Sequence, residues 1–295
     1  MSDFRLKVFR SVAKNLSFTK ASQELFVSQP AITKHIQAAY QTRLFDRQGS
    51  RISLTESGNL LLEHCERILE DYKRLEYEMH LLHNEYTGGL KLGASTTIAQ
   101  YVLPPLLASF IGKFPQVSLS LLNGNSREIE AALQEHRIDL GFVEGVFRLP
   151  NIRYTTFLED ELVAVVRTGS KLAVGEEITP DELFHLPLVL RERGSGTLDV
   201  FERALQQHNI KLSSLQVLMY LGSTESIKLF LEHTDCLGIV SVRSITRELY
   251  SGQLRVVEIK GMPMLRDFSF AQPQGQESGL AQVFMQFAMH NNHKL

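Results

Sequence analysis

Three short segments rich in serine and threonine are the part of this chain best suited to bind a small molecule. They are Ser95-Thr96-Thr97, Gly194-Ser195-Gly196-Thr197 and Gly222-Ser223-Thr224, and each stands between an apolar stretch and a helical pattern. In an open α/β sheet, ligands bind beyond the carboxyl ends of the strands. Hydroxyl groups, exposed N–H groups and the helix dipole favour an anion there. A single such residue is more often only a helix cap, so the repetition is what predicts a ligand site.

Charged residues near these turns define the alternatives for the ligand. Arg191 and Arg193 flank the second turn, and either can pair with a carboxylate or sulfonate or lie at the surface. The stretch 139–145 is predicted to form the opposite wall, where Glu144 would repel an anion unless it points away. An anionic ligand is therefore a hypothesis. The effector-binding candidates are Ser95, Thr96, Thr97, Val143, Glu144, Arg193, Ser195, Gly196, Thr197, Ser223 and Thr224.

The chain lacks the residue patterns of common catalytic and metal sites. The segment 194–197 does not have the GxxxxGK[ST] spacing of a phosphate loop. The ten histidines form no HExxH pattern, and no GxSxG elbow occurs. We therefore expect no catalysis, no metal and no cofactor.

Basic residues are concentrated in the first 55 positions. Residues 1–55 carry nine Lys/Arg against three acids, a net charge of +6. Residues 56–89 carry three Lys/Arg against eight acidic residues, and residues 90–295 carry nineteen Lys/Arg against twenty-two acidic residues. A basic head on an acidic body predicts a polyanionic partner for the head alone. The alternative is a small domain that is basic by chance.

Helical spacing in this basic head predicts a helix-turn-helix. A first helix ends near Asn15, Ser17 can cap a second helix over 18–25, and a third helix carries Pro30 in its first turn. The segment 44–54 then brackets a Gly-Ser tip with apolar residues. It predicts a short hairpin with a basic tip, a wing.

One long helix is predicted from Thr55 to about Tyr86, followed by a hinge at Thr87-Gly88-Gly89. Its apolar residues recur in alternating steps of four and three, which is the pattern of a coiled coil. A lone helix of this kind is marginal in water, so we expect it to pair with a second copy; the alternative is packing on its own domain. The predicted dimerisation residues are Leu61, Cys65, Ile68, Tyr72, Leu75, Met79, Leu82 and Tyr86.

From Leu90 onward, apolar strands alternate with helices. This order predicts open α/β sheets, two of them with a ligand cleft between. In the helix from Ile98, Val102, Leu106 and Phe110 share one face, which serves either to join dimers into a tetramer or simply to fill the core.

Length and composition limit the class of protein. A chain of 295 residues with 43% hydrophobic and 22% charged residues is typical of a soluble globular protein of two or three domains. The two cysteines form no paired motif, no apolar run reaches 18 residues, and the N-terminus lacks a signal-peptide pattern. We expect a cytoplasmic protein, neither secreted, membrane-embedded nor disordered.

Four segments of the head resemble a known family. The segments 17–22, 27–34, 44–47 and 54–58 closely resemble the N-terminal signature of LysR-type transcriptional regulators, and the order of zones extends that resemblance over the whole chain. Residues 190–197 resemble the subgroup that includes regulators of sulfur assimilation and of carbon fixation. That subgroup implies a small oxyanion or phosphorylated metabolite as effector.

The resemblance implies an α/β fold class with an all-α winged helix-turn-helix N-terminal domain, a linker helix and a two-lobed effector domain like periplasmic binding proteins. The expected boundaries are 1–58 for the DNA-binding domain and 59–89 for the linker helix and hinge. Lobe 1 is expected at 90–163 with 267–295, and lobe 2 at 164–266. The expected partners are operator DNA, a small-molecule effector, further copies of the chain as homodimer or homotetramer, and RNA polymerase.

The third helix is expected to lie in the major groove of DNA. Gln29 can make a bidentate contact to adenine, Thr33 can reach a base or phosphate, and Pro30 and Ala31 can contact a thymine methyl group. The basic residues are expected to hold phosphates. The further DNA-binding candidates are Ser17, Thr19, Lys20, Ser28, Lys34, Arg47 and Arg51.

The sequence departs from the family pattern before the wing. Only seven residues, 37–43, separate Ile36 from Leu44, fewer than the family usually has. Either the recognition helix ends a turn early or the wing lies at a changed angle. Two alternatives to the regulator are a metabolite sensor with an impaired DNA-binding head, acting through protein contacts, and an enzyme built on the two-lobed body.

Overall fold

The computed structural model describes residues 4–40, 42–48, 51–83, 86–146, 148–172, 175–274 and 279–291. Contacts divide the chain into two compact units, Met1–Glu85 and Tyr86–Leu295. The linker helix belongs to the first unit. The finer boundaries at 58 and between the two lobes stay predictions.

The first unit is a winged helix-turn-helix followed by a long helix. Its buried core is built from the apolar faces of the first three helices and the hairpin, as the helical spacing predicts. Its elements are α1 (Phe4–Asn15), α2 (Phe18–Glu24), α3 (Gln29–Tyr40), β1 (Phe45–Gln48), β2 (Arg51–Leu54) and α4 (Glu56–His83).

Local residue chemistry explains the two helix junctions. Ser17 accepts a hydrogen bond from the backbone N–H of Lys20 at 3.2 Å and so caps α2. Phe26, between α2 and α3, has a φ of +54°, which makes the tight turn. The helix α3 continues for four residues beyond Ile36, and the two wing strands pair in register. Both parts of the DNA-binding motif therefore form despite the short connection.

The apolar stripe of α4 divides into buried and exposed positions. The Cys65 thiol is buried against α1 and donates to the Leu6 carbonyl oxygen at 3.3 Å. Ile68, Leu75 and Met79 are 41, 54 and 47% exposed.

The remaining stripe positions have three different surroundings. Leu61 and Tyr72 are half-buried, and the side chain of Leu82 lies outside the described residues. The described helix ends at His83, and Tyr86 belongs to the second unit, where its ring packs edge-on against Phe114 at 5.6 Å. The dimer role of the whole stripe stays a prediction.

The second unit is an α/β structure of ten strands and six helices within the described residues. Its strands are β3 (Gly88–Ser95), β4 (Val117–Gly124), β5 (Leu140–Glu144), β6 (Ile152–Arg167), β7 (Glu177–Ile178), β8 (Pro187–Arg191), β9 (Gln216–Leu221), β10 (Leu237–Ser241), β11 (Leu254–Ile259) and β12 (Met264–Pro273). Its helices are α5 (Leu103–Lys113, after a π-helical turn at Ile98–Val102), α6 (Ser126–Gln134), α7 (Gly196–Gln207), α8 (Thr224–His233), α9 (Thr246–Tyr250) and α10 (Leu280–Asn291).

Two groups of parallel strands are joined by one long antiparallel pair. The first group has the order β4-β3-β5 and the second the order β10-β8-β9. The strands β6 and β12 pair along their length, and β12 also pairs with β5 while β6 pairs with β10 and β11. We call the two groups with their helices the first and second lobe, and β6 with β12 the crossing strands. In the crossing strands, Asp160 lies opposite Arg266.

Two local features bear on expectations from the sequence. Gly88 and Gly89 of the expected hinge pair with Val117 and Ser118 in the sheet and so begin β3. Gly88 has a φ of +118°, which explains why glycine is needed there. The face of the helix from Ile98 is buried: Val102, Leu106 and Phe110 are at most 2% exposed. This placement supports the core alternative for that face over a tetramer contact.

Candidate functional site

The residues predicted to touch DNA lie along α2, the turn and the start of α3. Gln29 is the first residue of α3, is exposed, and accepts a hydrogen bond from the Thr19 hydroxyl at 3.5 Å. The Thr33 hydroxyl donates to the Gln29 carbonyl oxygen at 3.2 Å. Thr19, Lys20, Ser28, Gln29, Pro30 and Lys34 are exposed, and Ser17, Ala31 and Thr33 are half-buried.

The wing residues are only partly described. The backbone of Arg47 pairs with that of Ile52 in the hairpin. The side chains of Arg47 and Arg51 lie outside the described residues, so their contact with phosphates stays a prediction.

In the second unit, the first hydroxyl-rich turn closes on Glu144. The hydroxyl of Ser95 donates to one carboxylate oxygen of Glu144, and that of Thr97 donates to the other at 3.4 Å. The hydroxyl of Ser126, at the start of α6, donates to the Glu144 carbonyl oxygen at 2.8 Å. Glu144 is only 4% exposed, and its carboxylate is held by Ser95, Thr97 and the arginine described next.

Arg266 of the crossing strand β12 connects the two lobes. Its Nη1 lies 3.2 Å from a carboxylate oxygen of Glu144 and donates to the Thr197 hydroxyl at 3.0 Å. Its Nε donates to Asp160 at 2.7 Å. Since Glu144 pairs with a buried guanidinium, its negative charge is compensated. The objection that it repels an anionic ligand is thereby weakened.

Arg191 brings the first and third hydroxyl-rich turns together. This side chain ends β8 and is 2% exposed. Its Nη2 donates to the Thr96 hydroxyl and its Nη1 to the Thr224 hydroxyl, at 3.3 and 3.4 Å. Its Nε pairs with Glu192 at 2.9 Å. Of the two arginines considered, Arg191 is the one inside the cleft, whereas Arg193 is exposed.

Gly196 marks a close approach of the two lobes. A Cβ atom at this position would overlap the backbone carbonyl group of Glu144. Only glycine therefore allows α7 to begin against the end of β5. The cleft is closed tightly at this point in the structure.

Some predicted effector residues have structural roles. Ser195 accepts from the Thr197 N–H at 3.2 Å and caps α7, and Ser223 accepts from the Ser226 N–H at 3.1 Å and caps α8. Val143 is fully buried in a hydrophobic cluster. These contacts leave their part in ligand binding a prediction.

Two carboxyl groups beside the cleft have perturbed pKa values. Burial raises the pKa of Glu130, on α6, above its usual range despite a hydrogen bond from Tyr154 at 2.6 Å. Burial also raises the pKa of Asp199, on α7, despite the nearby charge of Arg127. The two carboxylates come from different lobes, and the charge of Asp199 contributes to the shift at Glu130.

Within the described residues, no cluster of three His, Cys, Asp or Glu side chains could hold a metal ion. No helix in this part of the chain combines the length and apolar character needed to cross a bilayer. Cys65 and Cys236 are free and buried, and burial raises the pKa of the Cys236 thiol to about 11. A thiol of that pKa is a poor nucleophile at neutral pH.

Comparison with known families identifies both units. Residues 4–59 match the family described as bacterial regulatory helix-turn-helix protein, lysR family, and residues 83–292 match the LysR substrate binding domain. The chain belongs to the LysR family. Members of this family are transcriptional regulators, and the resemblance of the head and the expected fold class are confirmed.

Relatives of this LysR-type regulator cover nearly its whole length. The uncharacterized HTH-type transcriptional regulator YeiE of Escherichia coli K12 is 34% identical over 86% of this chain and 85% of YeiE. The RuBisCO operon transcriptional regulator of Acidithiobacillus ferrooxidans is 30% identical over 96% of this chain and 92% of the relative's own length. The regulatory domain of CcmR from Synechocystis PCC6803, solved in complex with 2-PG, superposes with a TM-score of 0.63 at 27% identity, covering 69% of this chain and 97% of that domain.

Sequence reasoning about this LysR-type regulator missed Arg266 and Asp160. Both lie inside long strands, away from any turn signal. The one available sign is the alternation in Met264–Phe268, where Arg266 takes a position that points the same way as its buried apolar neighbours. A charged residue at such a position is expected to have a buried partner.

Proposed function

We propose that this LysR-family regulator senses a small oxyanion in the cleft between its two lobes and thereby changes how its winged helices bind operator DNA. The observation that carries the proposal is the convergence of hydroxyl groups from three turns on two buried arginines. Thr96 and Thr224 contact Arg191, while Thr197 contacts Arg266. Hydroxyl donors and guanidinium groups are suited to bind carboxylate, sulfate or phosphate oxygens.

The ligand is proposed to compete for donors that now have protein partners. Arg191 is paired with Glu192, which is half-buried. An oxyanion held by Arg191 and by the hydroxyl groups of the three turns, those of Thr97 and Thr197 included, would release that carboxylate. Because the CcmR regulatory domain was solved in complex with 2-PG, 2-PG is the first compound to test.

Ligand binding can change DNA binding only through a difference in affinity between two lobe arrangements. The contacts of Arg266 with Glu144 of the first lobe and Thr197 of the second supply such a difference, because moving the lobes apart breaks one of them. We propose that this step acts in a homodimer or homotetramer paired through α4. We further propose that the protein acts in the cytoplasm and that RNA polymerase is an additional partner. It is proposed to catalyse no reaction.

The test is fluorescence anisotropy of the full chain on duplex DNA from its own upstream region, at two salt concentrations, with and without 2-PG. Saturable binding tighter than to scrambled DNA, weakening steeply with salt, is expected. The double variant Thr97→Val/Thr197→Val should lose the 2-PG response and keep basal DNA binding, since neither hydroxyl lies in the first unit. Thr168→Val, an exposed threonine of the same unit, is the control.

Two results would contradict the proposal in different ways. Unchanged 2-PG affinity in the double variant would show that the ligand binds elsewhere. DNA binding no tighter than to scrambled duplex would point to the wrong operator or to a disabled head. Inserting three residues after Gln37 would separate those two explanations, because only a disabled head would recover.

A further inference from the structure

A second cavity lies beside the crossing strands, next to the second hydroxyl-rich turn. Its volume is about 340 Å³, within the range of small-molecule sites. None of the Ser and Thr residues of the three hydroxyl-rich turns lines it. The charged side chains in its wall are Arg148, Glu159, Asp160, Arg203, Arg266 and Asp267.

The buried charges in and behind the wall of this cavity neutralise one another. Arg266 pairs with both Glu144 and Asp160, and Arg243 lies 3.6 Å from the same Asp160 carboxylate. Ser241 donates a further hydrogen bond to Asp160 at 2.7 Å. Two guanidinium groups thus balance two carboxylates.

The outer charges balance as well. Arg148 and Arg203 contribute two positive charges, and Glu159 and Asp267 contribute two negative charges. A simple anion or a simple cation would leave this wall with an uncompensated charge. A small molecule that carries one charge of each sign would not.

Arg266, which lines this cavity, has one donor atom without a partner among the described residues. Its Nη2 is buried and makes no hydrogen bond with them, and only 1% of the side chain is exposed. A buried charged donor without an acceptor costs free energy in the folded state, so a ligand that supplies an acceptor is stabilised there. Arg203, in the same wall, is exposed and forms no hydrogen bond or ion pair with any described residue.

We propose that this cavity binds a small zwitterion of the amino-acid type, separately from the oxyanion cleft. In the occupied state the Arg266 side chain shifts so that its Nη2, which is buried in this structure, donates to the carboxylate together with Arg203. The ammonium group donates to Glu159 or Asp267. Arg266 also holds Glu144 and Thr197 of the cleft. Occupancy of the cavity therefore changes the affinity of the cleft for its anion, and linkage makes this effect reciprocal.

The test is isothermal titration of the full chain with the standard amino acids one at a time, and with acetate and methylamine, which carry each charge alone. At least one amino acid is expected to bind at one site per chain, and acetate and methylamine are expected not to bind at the same concentrations. Arg203→Gln should weaken that binding by at least about tenfold. Arg137→Gln, which removes an exposed arginine that follows α6, should leave the binding unchanged.

The outcomes distinguish this site from the oxyanion cleft. Binding that survives Thr97→Val/Thr197→Val and excess 2-PG supports a second site. Binding that 2-PG displaces completely, or that Arg203→Gln leaves intact, overturns it. Failure of every amino acid to bind also overturns the proposal of a second site. Water would then be the acceptor for Arg266 Nη2. Loss of DNA binding or of 2-PG binding would contradict only the regulator proposal, because amino-acid binding is measured independently.

Discussion

Arg266 is the residue whose removal should matter most to the second unit. It is a nearly fully buried cation with two buried carboxylate partners, Glu144 and Asp160. Removing one member of a buried ion pair leaves uncompensated charge, which is far more costly than losing an exposed pair.

Arg266→Met should therefore destabilise the second unit by about 3–5 kcal/mol, since methionine keeps much of the volume but none of the charge. Urea unfolding followed by circular dichroism measures the loss. Arg137→Met, at an exposed pair, should change stability by less than about 1 kcal/mol. Equal stability of Arg266→Met and the wild type would contradict the stabilising role of these buried ion pairs.

Glu130 makes stability depend on pH in the opposite sense to most carboxyl groups. Its folded pKa is raised above the ordinary value of 4.5, so folding favours the protonated form. This contribution to stability is complete below the unfolded pKa and is lost as pH rises through the folded pKa.

Glu130→Gln should remove that loss, so stability should fall less between about pH 4.5 and neutrality than in the wild type. The measurement is the urea midpoint at several pH values, and the comparison between the two proteins cancels the other titrating groups. Asp139→Asn, at an exposed carboxyl group, serves as the control. A parallel pH profile for Glu130→Gln and the wild type would contradict the assignment.

The individual residues of the hydroxyl-rich turns can be predicted from the sequence, because serine and threonine stand out between the predicted strands and helices. It does not indicate which of Arg191 and Arg193 is buried. That choice depends on the last residue of β8 pointing into the cleft, where Thr96 and Thr224 from distant turns meet it.

The helix α4 shows that a periodic apolar pattern does not by itself identify a dimer contact. The steps of four and three predict one apolar stripe, yet part of its first half packs within the same chain, with Cys65 buried against α1. The second half remains exposed at Leu75 and Met79. Exposed apolar positions in a regular stripe favour pairing with another helix.

Leu75→Lys/Met79→Lys should convert a dimer to a monomer, because two charges per helix would have to be buried in the seam. Light scattering after size-exclusion chromatography measures the mass. Glu63→Lys/Arg67→Glu, which exchanges the charges of an exposed pair on the same helix, should keep the dimer. A dimer that persists in the first variant would place the main contact elsewhere.

The helix α3 is the element expected to read DNA, and Lys34 on it is exposed. Lys34→Ala should weaken binding to all duplexes and reduce the salt slope by about one unit, as expected for one lost phosphate contact. Anisotropy titrations over a salt series measure the slope. A changed preference between duplexes at an unchanged slope would assign Lys34 to a base instead.

The crossing strands are the elements that sequence patterns describe least well. An apolar pattern predicts a strand only over 161–166, but β6 runs from Ile152 to Arg167. The charged residues Glu159 and Asp160 interrupt the apolar pattern just before this stretch. The strand continues through them because Asp160 finds its partner, Arg266, directly opposite on β12, and that pairing is not visible in local sequence.

For the whole molecule, apolar surface is exposed in both units. The edge strand β9 exposes Leu218, Met219 and Tyr220, and α4 exposes its own stripe. Edge strands with exposed apolar residues are prone to pair with another chain. Both observations support a homo-oligomer, and the light-scattering experiment above tests the contribution of α4 separately from that of the sheet.

Gly196 also determines what mutation can do to this regulator. Its hydrogen atom is the largest substituent that fits against the backbone of Glu144. Every single-nucleotide change at a glycine codon that alters the amino acid inserts a larger side chain. Spontaneous missense variants at this codon therefore all increase the separation between the two lobes. For anyone selecting altered responses or building a biosensor, alanine at position 196 gives the smallest increase, and larger residues give progressively larger ones.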